Sequence, residues 1–242
     1  MGRCFFIWKN KDCRSMGVIL RAPLQIIRPE ERVNHIEIPG ASGDLTQLEG
    51  EDNDPVWNSY IQTAEIEVKG GFHVREIYNW LRGAGYFTSG SEPDRKQPAR
   101  VIGAITLQRH SKNLDWWVGE CQFYCQPEKE LLNESPVTIT SSGSAVMNSG
   151  DLRARPRIIA TASGTRMTIT ANGRTLTLTG LTSGKDYEID CKICEVSITE
   201  SNVTTLKTQD SSGKFPYLEP GSNTITGSGW SKLVIDRRQR FL

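Results

Sequence analysis

The chain has 242 residues, of which 37% are hydrophobic and 24% charged, with 29 Lys and Arg against 28 Asp and Glu. A chain of this size and composition can bury one large core or two of ordinary size, which argues against wholesale disorder. The near-neutral charge argues against a dedicated nucleic-acid binder, because such proteins rely on a large cationic excess. It is compatible with a protein that only surrounds DNA.

The start of the chain shows no pattern for membrane insertion or export. No stretch stays apolar for the roughly 20 residues that a membrane helix needs. The short apolar run before Lys9 is too brief for a signal peptide, and Phe6 stands where a myristoylation pattern has Ser or Thr. We therefore expect a chain made and folded in a cytoplasm, where its six cysteines stay reduced.

Short strands are predicted before residue 70. Apolar runs separated by prolines favour short strands over residues 14–38. Residues 40–59 are polar and acidic, which predicts a loop. Residues 64–68 alternate apolar with charged side chains, which is the period of a half-buried strand.

One clear helix is predicted next. Its apolar residues follow the i, i+3, i+4, i+7 spacing of a single buried face: Val74, Ile77, Tyr78 and Leu81. Gly83 stands where a C-cap glycine belongs. Residues 85–97 are rich in Gly, Ser and Pro and predict a polar loop, whereas residues 99–107 and 116–126 predict paired strands. The charged run at residues 127–130 suggests a domain boundary.

We accordingly predict a first domain over residues 1–130 and a second over residues 131–242, which is rich in Thr and Ser and has no helical period. The sharpest feature of the second domain is a predicted hairpin. Apolar residues alternate with threonines on both sides of Asn172-Gly173, a pair that favours a type I′ turn. Residues 187–198 continue the alternation, so the domain is predicted to be a β-sandwich or barrel.

Seven segments in collinear order carry a family resemblance: Ile36–Leu45, Arg75–Gly83, Ala99–Val101, Phe123–Pro127, Ala154–Ile158, Tyr187–Cys191 and Leu218–Ile225. The first and the last each place a Pro-Gly turn beside a short β-type run. Together they resemble the distal tail protein family of phages with long non-contractile tails. Residues 1–15 fit the family pattern less well.

The resemblance implies a mainly β fold with one helix: an N-terminal belt domain over residues 1–130 and a C-terminal galectin-like β-sandwich over residues 131–242. It implies a structural virion protein without catalysis, which forms a homohexameric ring at the tail tip or baseplate. DNA would pass through the channel of the ring without specific binding. A ring is what a head-to-tail interface gives when its rotation closes, and exposed strand edges could supply the joint.

The partners implied by the resemblance are further copies of the chain, the tail-tube protein, and tail-associated, tail-fibre or receptor-binding proteins, with the tape measure protein as a further candidate. The implied location is the tail tip of the virion, after synthesis in the cytoplasm of the bacterial host. No cofactor and no membrane span are implied.

The cysteines raise the question of a metal site. Cys191 and Cys194 have the spacing of a zinc knuckle, and Cys121 and Cys125 could complete four ligands. Both pairs lie in runs predicted to be strands, where residues three apart point to opposite faces, and the usual knuckle glycine is absent. We therefore expect buried free thiols that pack as small apolar side chains.

The sequence holds no recognisable catalytic spacing. His35, His73 and His110 are scattered, and the metalloprotease, nucleophile-elbow and phosphate-loop motifs are absent, so polar surface histidines are expected. The acidic cluster at residues 51–54 is followed by Pro55 and lacks the calcium-loop pattern, which predicts a solvated loop. We predict no catalytic, cofactor-binding or metal-binding residue.

Aromatic and basic side chains remain as candidate contacts. Trp116 and Trp117 are adjacent in a predicted strand, so that one of them must be exposed or lie in an interface. Trp230, in a Gly-Ser loop, allows stacking on a sugar, although no polar partners accompany it. Three arginines near the C-terminus allow contact with DNA or a neighbouring subunit, or else a solvated strand edge: Arg237, Arg238 and Arg240.

Two other functions are open at this point. A carbohydrate-binding β-sandwich with an appended domain would be small and would bind glycans, whereas a hub would form a ring. A cell-wall-degrading tail enzyme would need paired carboxylates or a set of metal ligands, and the sequence offers neither.

Overall fold

The computed structural model describes residues 4–40, 42–51, 54–70, 74–110 and 115–242. For Leu48 and Glu51 it describes the backbone alone. The chain divides into two compact units, Met1–Leu132 and Asn133–Phe241. Both consist largely of antiparallel strands, so the predicted mainly β class is confirmed. Among the described residues no helix has the length and the apolar character needed to cross a membrane.

The first unit contains, in its described residues, one α-helix, a 3-10 helix at Cys13–Met16 and twelve strands: β1 (Phe6–Trp8), β2 (Lys11–Asp12), β3 (Val18–Leu20), β4 (Val33–Glu37), β5 (Asp44–Leu48), β6 (Gly50–Glu51), β7 (Asp54–Pro55), β8 (Tyr60–Val68), α1 (Val74–Leu81), β9 (Ala84–Ser89), β10 (Arg95–Arg109), β11 (Trp117–Cys125) and β12 (Lys129–Leu131). The main sheet has the order β2-β1-β9-β10-β11-β8-β3, and β12 pairs with β10. Strands β4 and β5 form a separate hairpin, as do β6 and β7.

The core of the first unit is aromatic. Phe6, Trp8 and Phe123 are fully enclosed, and the rings of Phe87 and Phe123 lie 4.7 Å apart between centroids. The indole N–H of Trp8 donates to the carbonyl oxygen of Trp80, and the indole of Trp80 donates to that of Trp8, each at 3.0 Å. This reciprocal pair fixes β1 against α1 and satisfies both buried indoles. The N-terminal segment, which fitted the family pattern less well, therefore contributes directly to the core.

The helix lies where the sequence predicts it, and Gly83 follows it at φ +82°. The predicted core face is wrong at one position, because Tyr78 is 37% exposed and Trp80 is buried instead, beside Ile77 and Leu81. The tertiary packing decides this choice. The ring of Trp80 stacks on Phe6 of β1, with 5.7 Å between the ring centroids.

Two segments predicted to be loops are partly strand. Residues 40–59 include β5, β6 and β7, and residues 85–97 include most of β9 and the start of β10. Strand β5 pairs with β4, and β9 lies between β1 and β10. The polar composition of residues 40–59 reflects exposure to water and not an absence of pairing. Residues 128–130, expected at a domain boundary, overlap β12 of the first unit.

The long pair β10–β11 confirms the paired strands predicted around residues 99–107 and 116–126. Ala99 lies opposite Cys125, and the register shifts between Ile102 and Thr106. Gly103 lies in this irregularity at φ +70°, a conformation that glycine adopts without strain.

The second unit has twelve strands and, among its described residues, no α-helix: β13 (Val137–Ile139), β14 (Ser144–Asn148), β15 (Arg157–Ala162), β16 (Arg166–Ala171), β17 (Arg174–Thr179), β18 (Asp186–Asp190), β19 (Glu195–Glu200), β20 (Val203–Leu206), β21 (Ser211–Gly213), β22 (Gly221–Ser228), β23 (Trp230–Asp236) and β24 (Arg240–Phe241). One sheet has the order β13-β23-β15-β18-β19-β20, and the other β14-β22-β16-β17-β21. Their inner faces share a single, mainly aliphatic core, so the unit is a β-sandwich.

The predicted hairpin is β16–β17. Ile169 lies opposite Leu176 and both are buried, while the hydroxyls of Thr170 and Thr175 lie 2.8 Å apart on the outer face. Both central residues of the turn have positive φ, 48° and 73°, as a type I′ turn requires. The hairpin prediction is confirmed.

Candidate functional site

Strands β4 and β5 form a hairpin, Val33–Leu48, whose described side chains are mostly in contact with water. We call it the exposed hairpin. Ile36 lies directly opposite Leu45, and Ile38 follows directly after the end of β4. These three side chains are 45%, 54% and 47% exposed, respectively. They are among the large apolar side chains that the described part of the first unit leaves exposed.

The other face of the exposed hairpin carries negative charge at its tip. Glu37 lies directly opposite Asp44, a like-charge pair that destabilises a ladder by itself. Neither carboxylate makes an ion pair with the part of the chain that the structure describes. A basic partner at this tip would therefore relieve a repulsion as well as form new contacts.

Hydrogen bonds hold the base of the exposed hairpin to the rest of the first unit. The backbone N–H of Arg32 donates to Val56 O at 2.7 Å, and that of Glu49 donates to Arg32 O at 3.2 Å. The side-chain amide of Asn34 donates to a carboxylate oxygen of Glu49 at 3.1 Å. The hairpin is thus anchored at its base. The sequence predicted the Pro39-Gly40 turn and a strand before it, but placed residues 40–59 in a loop and so missed the second strand.

A cleft of about 390 Å³, part of it open to solvent, lies beside β8, β9 and β10 of the first unit. At its wall the hydroxyl of Tyr60 donates to Oε1 of Gln97 at 2.9 Å, and burial raises the pKa of Tyr60 to about 12. Lys129, only 8% exposed, lies 2.6 Å from a carboxylate oxygen of Glu92. Burial also raises the pKa of Cys125 to about 12, so its thiol stays protonated and is a poor nucleophile. The polar groups pair with one another, which suits a structural network.

The four cysteines considered for zinc do not converge. Cys121 and Cys125 belong to the core of the first unit and Cys191 to the core of the second. In the described residues no group of three or more His, Cys, Asp or Glu is placed to hold a metal ion. Of these four cysteines Cys194 is exposed and the other three are buried, so the expectation of buried thiols is wrong for Cys194; of the two remaining cysteines, Cys4 is exposed and Cys13 is buried.

The segment from Cys191 to Cys194 is also not a strand. Strand β18 ends at Asp190 and β19 begins at Glu195, so these residues form a four-residue loop. The carboxylate of Asp190 accepts a hydrogen bond from the backbone N–H of Lys192 at 2.9 Å. This side-chain acceptor competes with ladder pairing and turns the chain.

The histidines and the acidic cluster show no joint site. His35 is exposed on β4, His110 is half-buried, and His73 lies outside the described residues. Asp52 and Asn53 also lie outside the described residues. Glu51 and Asp54, expected in a solvated loop, pair in the short hairpin β6–β7.

The C-terminal arginines are engaged within the second unit. Arg237 lies 3.1 Å from a carboxylate oxygen of Glu134. Arg238 donates two hydrogen bonds to the carboxylate of Asp190, both at 2.8 Å. Arg240 donates through Nε to Arg153 O at 2.8 Å. The predicted solvated edge is wrong, because these guanidinium groups hold loops to the sandwich.

Neither member of the tryptophan pair is exposed. Trp116 and Trp117 are both half-buried, and the guanidinium of Arg109 lies 5.4 Å from the ring centre of Trp117. The sequence left two alternatives, an exposed indole or an indole in an interface. Exposure is wrong for both residues, and burial in an interface stays a prediction. Each ring is covered only in part by its own chain.

Trp230 does not lie in a loop. It begins β23, is 8% exposed, and donates from its indole to Thr168 O at 3.2 Å. Gly229, at φ +78°, passes so close to β16 that a Cβ there would lie 2.0 Å from Arg166 O. This close approach carries Trp230 inward, so its ring is not available to stack on a sugar.

Neither a protein-family model nor a curated protein matches this chain. Among solved structures it is similar to the Dit protein (gp 19.1) of SPP1, described as a paradigm of the hub adsorption apparatus in phages that infect Gram-positive bacteria. That likeness covers 98% of this chain and 99% of that chain, with 15% identity and a TM-score of 0.75. The Aspergillus kawachii beta-fructofuranosidase complexed with glycerol, at 8% identity over 88% of this chain and 49% of that chain, has a TM-score of 0.13 and carries no argument. The chain therefore has, over nearly its whole length, the fold of the SPP1 Dit protein.

Proposed function

We propose that this chain is a structural protein of the phage virion: a distal tail hub that forms a homohexameric ring at the tail tip. The first unit is the belt of the ring, and the second is a galectin-like sandwich that displays the attachment surface. The hub joins the tail-tube protein to tail-associated, tail-fibre or receptor-binding proteins, and it has no catalytic role. It is made in the host cytoplasm.

The observation that carries this proposal is the end-to-end likeness to a hub protein. Both units are included, because the coverage reaches 98% of this chain and 99% of the other. A carbohydrate-binding module with an unrelated appended domain would match over one unit alone. The likeness also favours a structural role over catalysis, since the similar protein belongs to a hub.

The exposed hairpin is the part of the first unit best suited to join copies of the chain. It exposes the apolar side chains of Ile36, Ile38 and Leu45, and its tip carries two carboxylates. In a head-to-tail ring each copy presents one surface and receives another, so a projecting hairpin on every copy can serve as the joint. The hydrogen bonds of Arg32 and Glu49 at its base would keep the hairpin in position for docking.

The charge of the chain suits a channel for DNA. The excess of 29 basic over 28 acidic residues is one, so phosphate binding through the channel wall would be weak and would not hold the passing DNA. Specific recognition of DNA is therefore not part of the proposal. The tape measure protein is a further candidate partner inside the ring.

The proposal is tested by light scattering of the full chain at micromolar concentration, with negative-stain images of the same sample. We expect a particle of six times the 27.0-kDa chain mass and rings with an open centre. The double variant Ile36→Ser with Leu45→Ser should shift the sample to smaller species, because it removes the apolar joint. A wild-type protein that is monomeric at this concentration would contradict the ring.

Met147→Ser is the matched control. This side chain is 51% exposed, close to the 54% of Leu45, but lies on β14 of the second unit. The control should form rings as the wild type does. Rings that persist in the double variant would instead show that the joint lies elsewhere on the first unit.

A glycan array separates the hub from the carbohydrate-binding alternative. Trp230, the residue considered for sugar stacking, is enclosed in the sandwich. We expect no saccharide to bind above background. Strong binding that Trp230→Ala leaves intact would support the alternative through a different surface.

A further inference from the structure

The loop between β18 and β19 begins and ends with a cysteine. Asp190 pairs with Glu195, so the four residues from Cys191 to Cys194 close the hairpin. A four-residue turn holds its first and last Cα atoms within about 7 Å of each other. Disulfides span Cα distances of roughly 4.4 to 6.8 Å, so the two cysteines are within reach of one another without a change of register.

The sulfur of Cys194 is directed back across the loop. Its Sγ lies 3.9 Å from the carbonyl oxygen of Cys191, and the residue adopts φ +56°. A left-handed conformation is uncommon for a residue other than Gly, Asn or Asp. Here it returns the chain to β19 and places the second thiol on the side of the first.

The loop is held in this shape by several hydrogen bonds. The carboxylate of Asp190 accepts from the backbone N–H groups of Lys192 and Ile193, at 2.9 and 3.4 Å. Arg238 fixes the same carboxylate through two bonds of 2.8 Å. The backbone N–H of Cys191 donates to Pro156 O at 3.0 Å. A bond between the sulfurs would therefore close a loop that is already ordered.

The two thiols differ in access. Cys191 is 3% exposed, whereas Cys194 is exposed. Burial raises the pKa of the Cys191 thiol, and the neighbouring Asp190 carboxylate acts in the same direction. A reagent from solution thus meets Cys194 first, and Cys191 lies behind it as the second thiol.

We propose that Cys191 and Cys194 are a dithiol site, which a low-molecular-weight disulfide oxidises reversibly to an intramolecular disulfide. The thiolate of Cys194 attacks one sulfur of the reagent, breaks its S–S bond, and releases one thiol. The released group leaves as a thiolate and takes the proton of Cys191, whose sulfur then attacks the sulfur of Cys194 in the mixed disulfide and releases the second thiol. The reagent disulfide is reduced to two thiols while the protein dithiol is oxidised, so atoms and electrons balance.

The site lies outside the proposed ring joint and does not depend on it. Its product would fix the tip of the β18–β19 hairpin, where Ile193 is 59% exposed. A zinc site is a poorer use of the same residues, because within the described residues no group of three or more His, Cys, Asp or Glu is placed to hold a metal ion.

The test uses the native full chain and oxidised glutathione as the probe, followed by alkylation and mass spectrometry. We expect the loss of two hydrogens from the intact mass, reversed by dithiothreitol. Trypsin cuts after Lys192, between the two cysteines, so the disulfide should join peptide 186–192 to peptide 193–207. A stable glutathione adduct on Cys194 without this linked pair would overturn the proposal, and so would disulfides between chains alone.

Three variants make the result specific. Cys194→Ser, at an exposed position, should lose the linked pair and keep the fold. Cys191→Ala should retain a glutathione adduct on Cys194, severalfold more than the wild type does, because no second thiol displaces it. Cys4→Ser removes another exposed cysteine and should leave the linked pair unchanged. A linked pair that forms in the wild type only after denaturation would also overturn the proposal.

Discussion

The two units bury different kinds of core and leave different surfaces. The first encloses aromatic rings from β1, α1, β9 and β11, which are far apart in the sequence. The second encloses mainly aliphatic side chains on the inner faces of two sheets, whose strands alternate buried with more exposed residues. The comparison teaches that a core made of regularly alternating strands is visible in the sequence. A core assembled from distant aromatic side chains is not.

The two units also differ in how their polar side chains are used. In the second unit buried side chains bind the loops: Asn223 donates to Glu219 O and Gly221 O, at 2.8 and 2.9 Å, and accepts from Glu219 N at 2.8 Å. In the first unit the exposed hairpin carries opposed carboxylates at its tip. The second unit therefore satisfies its loops internally, whereas the first presents a surface that a partner would complete.

The largest expected effect is on the aromatic core. Phe123→Ala should lower the free energy of unfolding of the first unit by about 3–5 kcal/mol, because it empties the space between Phe6, Trp8 and Phe87. Urea unfolding followed by tryptophan fluorescence measures this, since five of the six tryptophans lie in the first unit. Tyr124→Ala, at the next position and 42% exposed, is the control and should change stability by about 0.5 kcal/mol or less.

The next largest effect tests the difference between buried and exposed polar side chains in the two units. Asn223→Ala should destabilise the second unit by about 1–3 kcal/mol, because it leaves buried backbone groups without partners. Thermal unfolding followed by circular dichroism gives the change. Asn34→Ala, which removes an exposed amide from the first unit, should shift stability by about 0.5 kcal/mol or less. Equal losses of stability in both variants would contradict this difference between the two units.

A pH effect is expected at the β18–β19 loop. Burial by itself raises the pKa of Asp190, but the hydrogen bonds from Arg238 and from backbone N–H groups outweigh it and leave the pKa below its usual value. A depressed folded pKa gives stability that is present above the unfolded pKa of about 3.9 and is lost as the pH falls through the folded pKa. Arg238→Ala should thus cost about 1–2 kcal/mol at neutral pH and clearly less below about pH 3.

Urea unfolding of the wild type and of Arg238→Ala at both pH values tests this effect. Arg238→Lys keeps the positive charge but cannot make the paired hydrogen bonds to Asp190. Its free energy of unfolding should therefore lie between those of the wild type and Arg238→Ala. A stability difference that stays constant between neutral pH and pH 3 would mean that the carboxylate is not the group involved.

The smallest effect is expected at the exposed ion pair of Lys185 and Glu200, whose nitrogen and oxygen are 3.0 Å apart. Both side chains are about half exposed, at 51% and 53%. Lys185→Ala should change the free energy of unfolding by about 0.5 kcal/mol or less, because water and salt screen the pair. A loss above about 1 kcal/mol would show that this face is less solvated than its exposure indicates.

The sequence by itself determined the elements whose evidence is local. The mainly β class, the helix at residues 74–81 and the turn at Asn172-Gly173 follow from residue period and turn chemistry, and all three are present. The likeness to a hub-type fold was also expected from the order of seven short segments, and the similarity to the SPP1 Dit protein confirms it.

Only the tertiary structure decided the rest. Trp80 displaced Tyr78 from the core because a ring on β1 stacks there, and Trp230 turned inward because Gly229 allows a close approach to β16. Strand β5 lies in a stretch of polar and acidic composition, and its strand character depends on pairing with β4. Cys191 and Cys194 became neighbours across one loop because Asp190 and Arg238 hold that loop in shape. Each outcome depends on contacts between residues that sequence period cannot relate.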